Sequence, residues 1–178
     1  MTVIGLDLSL TSTGVAIARN GRIVGTKALK TSKRTGDLAD MDRRLSDTTL
    51  GIQQILNAED PKLAVIEAPS FGSKFGSPDE RSGLRWRVIH ALLWREIAIA
   101  QVSPRSRAKY GTGNGNAKKL EVLAAVRGNY AHFDLPIKTD DEADALILAA
   151  MGARHLGQPV ELVLPDGALE SMEKVQWP

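Results

Sequence analysis

Four carboxylates stand where an acid needs a reason. Asp7 closes the run Val3-Ile4-Gly5-Leu6-Asp7-Leu8, which is otherwise apolar or glycine, and Glu67 closes a second apolar run, Leu63-Ala-Val-Ile-Glu67. Asp141 and Asp144 lie three apart in Thr139-Asp-Asp-Glu-Ala-Asp-Ala-Leu-Ile-Leu, so both project from one helix face. An ionised carboxylate beside a core is costly unless it is paired or bound to a cation. Ordinary explanations exist: Asp7 can cap the turn that follows it, and acids in a first helical turn are favoured by the dipole. The dipole accounts for Asp140, Asp141 and Glu142 better than for Asp144, which lies in the second turn between two alanines. If the acids meet, they need a strong countercharge. With no cysteine and no suitably spaced histidine, oxygen ligands alone select Mg²⁺ or Mn²⁺ over Zn²⁺. Two such ions can hold a scissile phosphate, one activating water and the other stabilising the leaving 3′ oxygen.

The charges divide along the chain. Arg81 to Leu120 carries nine Lys and Arg against one acid, Glu96, whereas Asp134 onward carries nine acids against three bases. That asymmetry predicts a basic face for a polyanion and a separate acidic cluster. Residues 103 to 119 read as a Pro-, Gly- and base-rich loop, with Arg105, Arg107, Lys109, Lys118 and Lys119 around Gly111, Gly113 and Gly115. Glycines permit close backbone approach, and the cations suit phosphates. A solvated loop is the ordinary alternative. No Gly-Lys-Ser or Gly-Lys-Thr is present, so a nucleotide loop is not indicated.

The elements that must position these residues are legible in order. Val3 to Leu8 is a strand; Gly14 to Arg19 and Ile23 to Leu29 form a hairpin across Asn20-Gly21. After a polar loop at 30 to 37, Leu38, Met41, Leu45, Thr49, Ile52, Ile55 and Leu56 repeat at helical spacing, and Asp60-Pro61 ends that helix. Leu63 to Glu67 is the fourth strand. A strand, a crossover helix and a strand favour parallel neighbours, which brings Asp7 and Glu67 to one edge. Residues 70 to 76 form a loop with Phe71 and Phe75. Ser77-Pro78 with Glu80 starts a helix ending near Trp94 or Arg95, followed by a fifth strand, Ile97 to Val102. Trp86, His90 and Trp94 share one face of that helix, which is expected as core or, failing that, as a dimer interface. Asn116 to Arg127 reads as a helix. Another begins at Asp140, where Thr139 and Glu142 form a capping box. Residues 156 to 178, with Pro159, Pro165 and Gly167, read as an extended tail, free or docked on the body or a partner.

Length and composition set outer limits. A chain of 178 residues, 43% hydrophobic, makes one domain with a proper core. The lack of cysteine removes disulfides and thiolate chemistry and fits a reducing compartment. No apolar run spans a bilayer and the N-terminus lacks a basic leader, so a cytoplasmic protein without a membrane is expected.

Taken together, Ile4-Gly-Leu-Asp7 with Thr13-Gly14-Val15, Val65-Ile-Glu67, Ser103-Pro104 with Gly113-Asn-Gly-Asn-Ala-Lys-Lys119, and Asp141-Glu-Ala-Asp144-Ala-Leu resemble the RuvC family of Holliday junction resolvases. The resemblance runs from about residue 3 to 155. It implies an α/β, ribonuclease H-like fold: a mixed five-stranded sheet, three antiparallel strands then two parallel, with helices on both faces. On that basis residues 1–155 form the nuclease domain and 156–178 a C-terminal tail of unknown role. It further implies a homodimer that makes paired, metal-dependent nicks in branched DNA. Asp7, Glu67, Asp141 and Asp144 match the family's four metal-binding acids, holding two Mg²⁺ or Mn²⁺ ions, with Asp7 touching both. Lys119 matches the lysine after the motif's glycines, and Lys109 or Arg107 lies near another functional base. Phe71 resembles the aromatic of the loop after the catalytic glutamate, and Lys74, Arg105 and Lys118 complete the expected DNA contacts. Leu8-Ser9 replaces the Pro-Gly that usually follows the first aspartate in bacterial members. That departure points to a more permissive enzyme, of a phage type, acting also on forks and flaps.

Competing functions are an RNA-processing nuclease of the same fold, a DNA-binding module without catalysis, and a single-domain ATP-binding protein. The last would need two such domains to enclose ATP.

Overall fold

The structure, a computed structural model, describes residues 1–32, 36–69 and 77–178. Its centre is a sheet of five strands: β1 (Thr2–Asp7), β2 (Ser12–Arg19), β3 (Arg22–Lys30), β4 (Leu63–Glu67) and β5 (Ala98–Val102), in the order β3-β2-β1-β4-β5. β1 pairs antiparallel with β2 and parallel with β4, and β4 pairs parallel with β5. β1 is therefore the middle strand, and the expected three antiparallel strands followed by two parallel ones are present. Asn20 and Gly21 close the β2–β3 hairpin with φ of 50° and 73°, the twist such a turn requires.

Alternation along the inner strands builds two cores. Val3, Leu63, Val65, Ala100 and Val102 face one layer, made of α3 (Pro104–Thr112), α4 (Lys119–Asn129), α5 (Asp140–His155) and the C-terminal segment. Ile4, Leu6, Ala64 and Ile66 face the other, made of α1 (Leu38–Glu59) and α2 (Pro78–Trp94). α1 is the crossover between the parallel strands β1 and β4. Asp37 caps its start by accepting from the Asp40 N–H at 2.6 Å, and Asp60 ends it in a left-handed conformation. Met41, Leu45, Thr49, Ile52 and Leu56 are buried as the spacing predicts. Leu38, the first residue of the helix, is 88% exposed.

Three further expectations change. The stretch 103 to 119 is not one loop: Ser103 accepts from the Ser106 N–H at 3.0 Å, Pro104 occupies the first turn, and α3 runs to Thr112 before Gly113 stops it at φ 79°. The Ser-Pro start signal outweighs the glycines that follow it. α4 correspondingly begins at Lys119 rather than at Asn116. The Trp86–His90–Trp94 face is not core: Trp86 is 64% and Trp94 80% exposed, with Leu93 beside them at 60%, while Leu84, Val88 and Leu92 on the opposite face are buried. α2 ends at Trp94 as expected, and the switch into β5 needs no Gly because Glu96 itself adopts φ 55°.

Of the two readings of the C-terminal segment, the docked one holds, and it docks on the body. Val160, Ala168 and Val175 enter the core with Leu164, Met172 and Trp177 against it, and a short helix α6 (Ala168–Met172) packs near α3. A polar knot fastens it: the Glu161 carboxylate, 2% exposed, accepts from Tyr110, from Tyr130 at 3.3 Å and from Arg154 at 2.7 Å. Among the described residues no helix is long and apolar enough to cross a membrane.

Candidate active site

β1 and β4 bring the first two acids together. Leu6 lies opposite Ile66 in the parallel ladder, so Asp7 and Glu67 leave the sheet side by side at its carboxyl edge. The turn after Asp7 is closed by other residues: Ser9 N–H donates to the Thr13 hydroxyl at 3.2 Å, and that hydroxyl donates to the Ser9 carbonyl at 2.9 Å. Arg44, buried in α1, donates to the Leu10 carbonyl at 2.8 Å and fixes the same turn from below. Asp7 is thereby left to the cleft.

The second pair arrives on α5. Thr139 accepts from the Glu142 N–H at 3.2 Å while Glu142 accepts from Thr139 N–H at 3.0 Å, so the expected capping box sets the helix start. The helix then runs across β1 and β2 at a separation only glycine allows. A Cβ on Gly14 would lie 1.9 Å from the Asp141 carbonyl oxygen, and one on Gly5 would lie 2.1 Å from that of Ala145. This contact seats Asp141 and Asp144 over the strand ends.

Arg107 of α3 completes the cluster. Its Nε donates to Glu67 Oε2 and its Nη1 to Asp144 Oδ1, and all three side chains are largely enclosed. Lys119 donates to Asp140 at 2.5 Å, a bond that raises the lysine and lowers the carboxyl from their usual ranges. Burial pushes Asp7 up to about 7; neighbouring Glu67 and Asp141 add to the rise, while Arg107 and Lys119 oppose it. Among the described residues no three His, Cys, Asp or Glu side chains form a ready-made metal cage, and Arg107 spans the space between two of the acids. The donor set nevertheless fits a hard divalent ion: carboxylate oxygens only, partly enclosed, repelling one another.

Other sequence candidates separate. Arg105, Lys118 and Lys119 are exposed around the Gly113–Asn116 turn. Lys109 turns away, donating to Glu170 of α6 at 2.6 Å. Phe71 and Lys74 lie outside the described residues. The structure adds Arg81, Ser82 and Arg85, which line a cleft of about 290 Å³ together with Asp7 and Glu67. Arg85 also donates to the Glu67 carbonyl at 2.7 Å and to Gln101, fixing the end of β4. The two arginines fall in the basic stretch that begins at Arg81; Ser82 carries no such signal.

The family described as crossover junction endodeoxyribonuclease RuvC matches residues 3–152. This chain belongs to the RuvC family. Among curated relatives, RuvC of Synechocystis is 30% identical over 158 residues, covering 84% of this chain and 89% of its own. RuvC of Salinibacter ruber is 26% identical, covering 84% and 83%. Thermus thermophilus RuvC, solved in complex with a Holliday junction substrate, superposes with a TM-score of 0.71 at 22% identity, covering 91% of this chain and 99% of that one. The yeast mitochondrial Holliday junction resolvase Ydc2 superposes with a TM-score of 0.55 at 15% identity, covering 83% and 75%. The fold is thus shared between this chain and Thermus thermophilus RuvC over most of both chains.

Proposed function

We propose that this protein is a divalent-metal-dependent, structure-selective endonuclease that resolves Holliday junctions, and other branched DNA, by paired nicking as a homodimer. The observation that carries the proposal is the convergence of Asp7, Glu67 and Asp144 from β1, β4 and α5 on one partly enclosed edge, in a chain of the RuvC family. Nucleases of this family depend on divalent metal. Here Asp7, Glu67, Asp141 and Asp144 would hold the two Mg²⁺ or Mn²⁺ ions, which when bound would supply activation of a water and stabilisation of the leaving 3′ oxygen.

The protein's own side chains do the rest. Asp7 and Glu67 keep their spacing because the parallel ladder and the Arg85 bond fix both strand ends. Arg81 and Arg85, which line the cleft, and the exposed Arg105, Lys118 and Lys119 bind the phosphates flanking the cut and orient the strand. Phe71 and Lys74 are further proposed DNA contacts. The exposed Trp86, Leu93 and Trp94 strip of α2 is the kind of apolar patch a second copy covers. A two-fold dimer sets two sites on symmetry-related strands. Residues 1–155 carry the nuclease and 156–178 brace it through Glu161.

The test incubates the protein with Mg²⁺ or Mn²⁺ and labelled four-way junction, fork, linear duplex or structured RNA. Paired nicks in branched DNA are expected, lost in Asp7→Asn and Glu67→Gln with DNA binding retained. Equal cutting of linear duplex, preference for the RNA, or activity surviving in Asp7→Asn overturns the proposal.

A further inference from the structure

Arg107 does not behave as a surface base for DNA. Its side chain is 11% exposed, and it reaches two carboxylates that come from different elements, Glu67 at the end of β4 and Asp144 on α5. The contacts use Nε and Nη1, whose N–H bonds leave the planar guanidinium in different directions, so a single group bridges both acids in a fixed orientation. Its backbone is equally constrained. α3 is capped at Ser103, and three residues after Arg107 the Tyr110 hydroxyl joins the buried Glu161 and Arg154 knot.

We infer that Arg107 is a resident counter-cation of the carboxylate cluster, which competes with divalent metal for Glu67 and Asp144. This rests on the reading of those acids as metal-binding. The physical reason is that one carboxylate oxygen cannot give its full charge to a guanidinium and to a metal ion at once. A divalent ion at these acids draws electron density from the same oxygens and repels the guanidinium beside them. Arg107 therefore holds the acids in place before a cation arrives, where Asp7, Glu67 and Asp141 would otherwise repel one another. The same contacts weaken the cation's apparent affinity, because binding must first break or loosen the clamp. Arg107 is a positioning residue with a cost in metal affinity, distinct from the exposed bases Arg105, Lys118 and Lys119.

The experiment measures Mn²⁺ binding to the full chain by titration calorimetry, with no DNA present, for the natural protein, Arg107→Gln and Arg107→Lys. Thermal melts with and without Mn²⁺ accompany it. Arg107→Gln should bind Mn²⁺ tighter by about tenfold or more, the scale of one lost charge-assisted hydrogen bond. It should melt lower than the natural protein in chelator and gain more on adding Mn²⁺. Arg107→Lys, which keeps the charge without the two-pronged reach, should fall between them and guards against a variant that fails to fold. Equal or weaker Mn²⁺ binding in a folded Arg107 variant overturns the competition and leaves the nuclease reading standing. Absence of Mn²⁺ binding to the natural protein and to both variants overturns the metal reading, and the competition with it.

Discussion

Gly14 on β2 lies so close beneath the Asp141 carbonyl at the start of α5 that a Cβ there would fall 1.9 Å from the oxygen. Two backbones in contact, rather than side chains, hold the helix that carries Asp141 and Asp144 against the strand that follows Asp7. The placement of the acidic cluster therefore depends on a residue with no side chain.

Gly14→Ala should push α5 outward. The added methyl has only backbone in its way, so the cost is expected at about 2–4 kcal/mol, at or beyond the upper range for overpacking. Thermal melts should show it, and Mn²⁺ affinity should fall because Asp141 and Asp144 move from Asp7. Gly25→Ala on β3 is the control, since a Cβ there meets nothing within 4 Å. Equal melting temperatures for the two variants would show that α5 yields without consequence.

Asp7 makes stability depend on pH in a defined direction. Its folded value of about 7 lies above the ordinary 3.8, so the native state holds the proton more tightly than the unfolded chain. Stability from this group is fully present below pH 4 and is lost as pH rises to about 7. The ceiling is roughly 4 kcal/mol, which water at the cleft mouth reduces to about 1–2 kcal/mol. In chelator, Asp7→Asn should therefore melt a few degrees above the natural protein at pH 8, with the difference vanishing toward pH 4. A variant that melts lower at pH 8 would mean that the ionised carboxylate is compensated.

The exposed strip on α2 should govern assembly. Trp86→Ala combined with Trp94→Ala removes two large apolar side chains that are 64% and 80% exposed, so the single chain should lose less than about 1 kcal/mol. Sedimentation should show a dimer for the natural protein and a monomer for the double variant. A double variant that remains dimeric places the interface elsewhere.

Signals confined to a few neighbouring residues were legible in the sequence. Asn20-Gly21, the Thr139–Glu142 capping box and the apolar runs ending in Asp7 and Glu67 each act through local backbone geometry, and they delivered the β2–β3 hairpin, the start of α5 and the acids' common edge. Ser103-Pro104 is equally local, but the glycines beyond it carry the signature of a loop, and the spacing alone does not reveal α3. With α3 went the environment of Arg107, which looked like one base among five. Only the tertiary structure decided that Arg107 meets Glu67 and Asp144, that Lys109 is tied to Glu170, and that the Trp86–Trp94 face looks outward. The docking of residues 156–178 was decided the same way. Periodicity shows that a helix has an apolar face without saying which neighbour covers it. Contacts between segments tens of residues apart are set by how helices pack on the sheet, and that packing leaves no trace in the spacing of either segment alone.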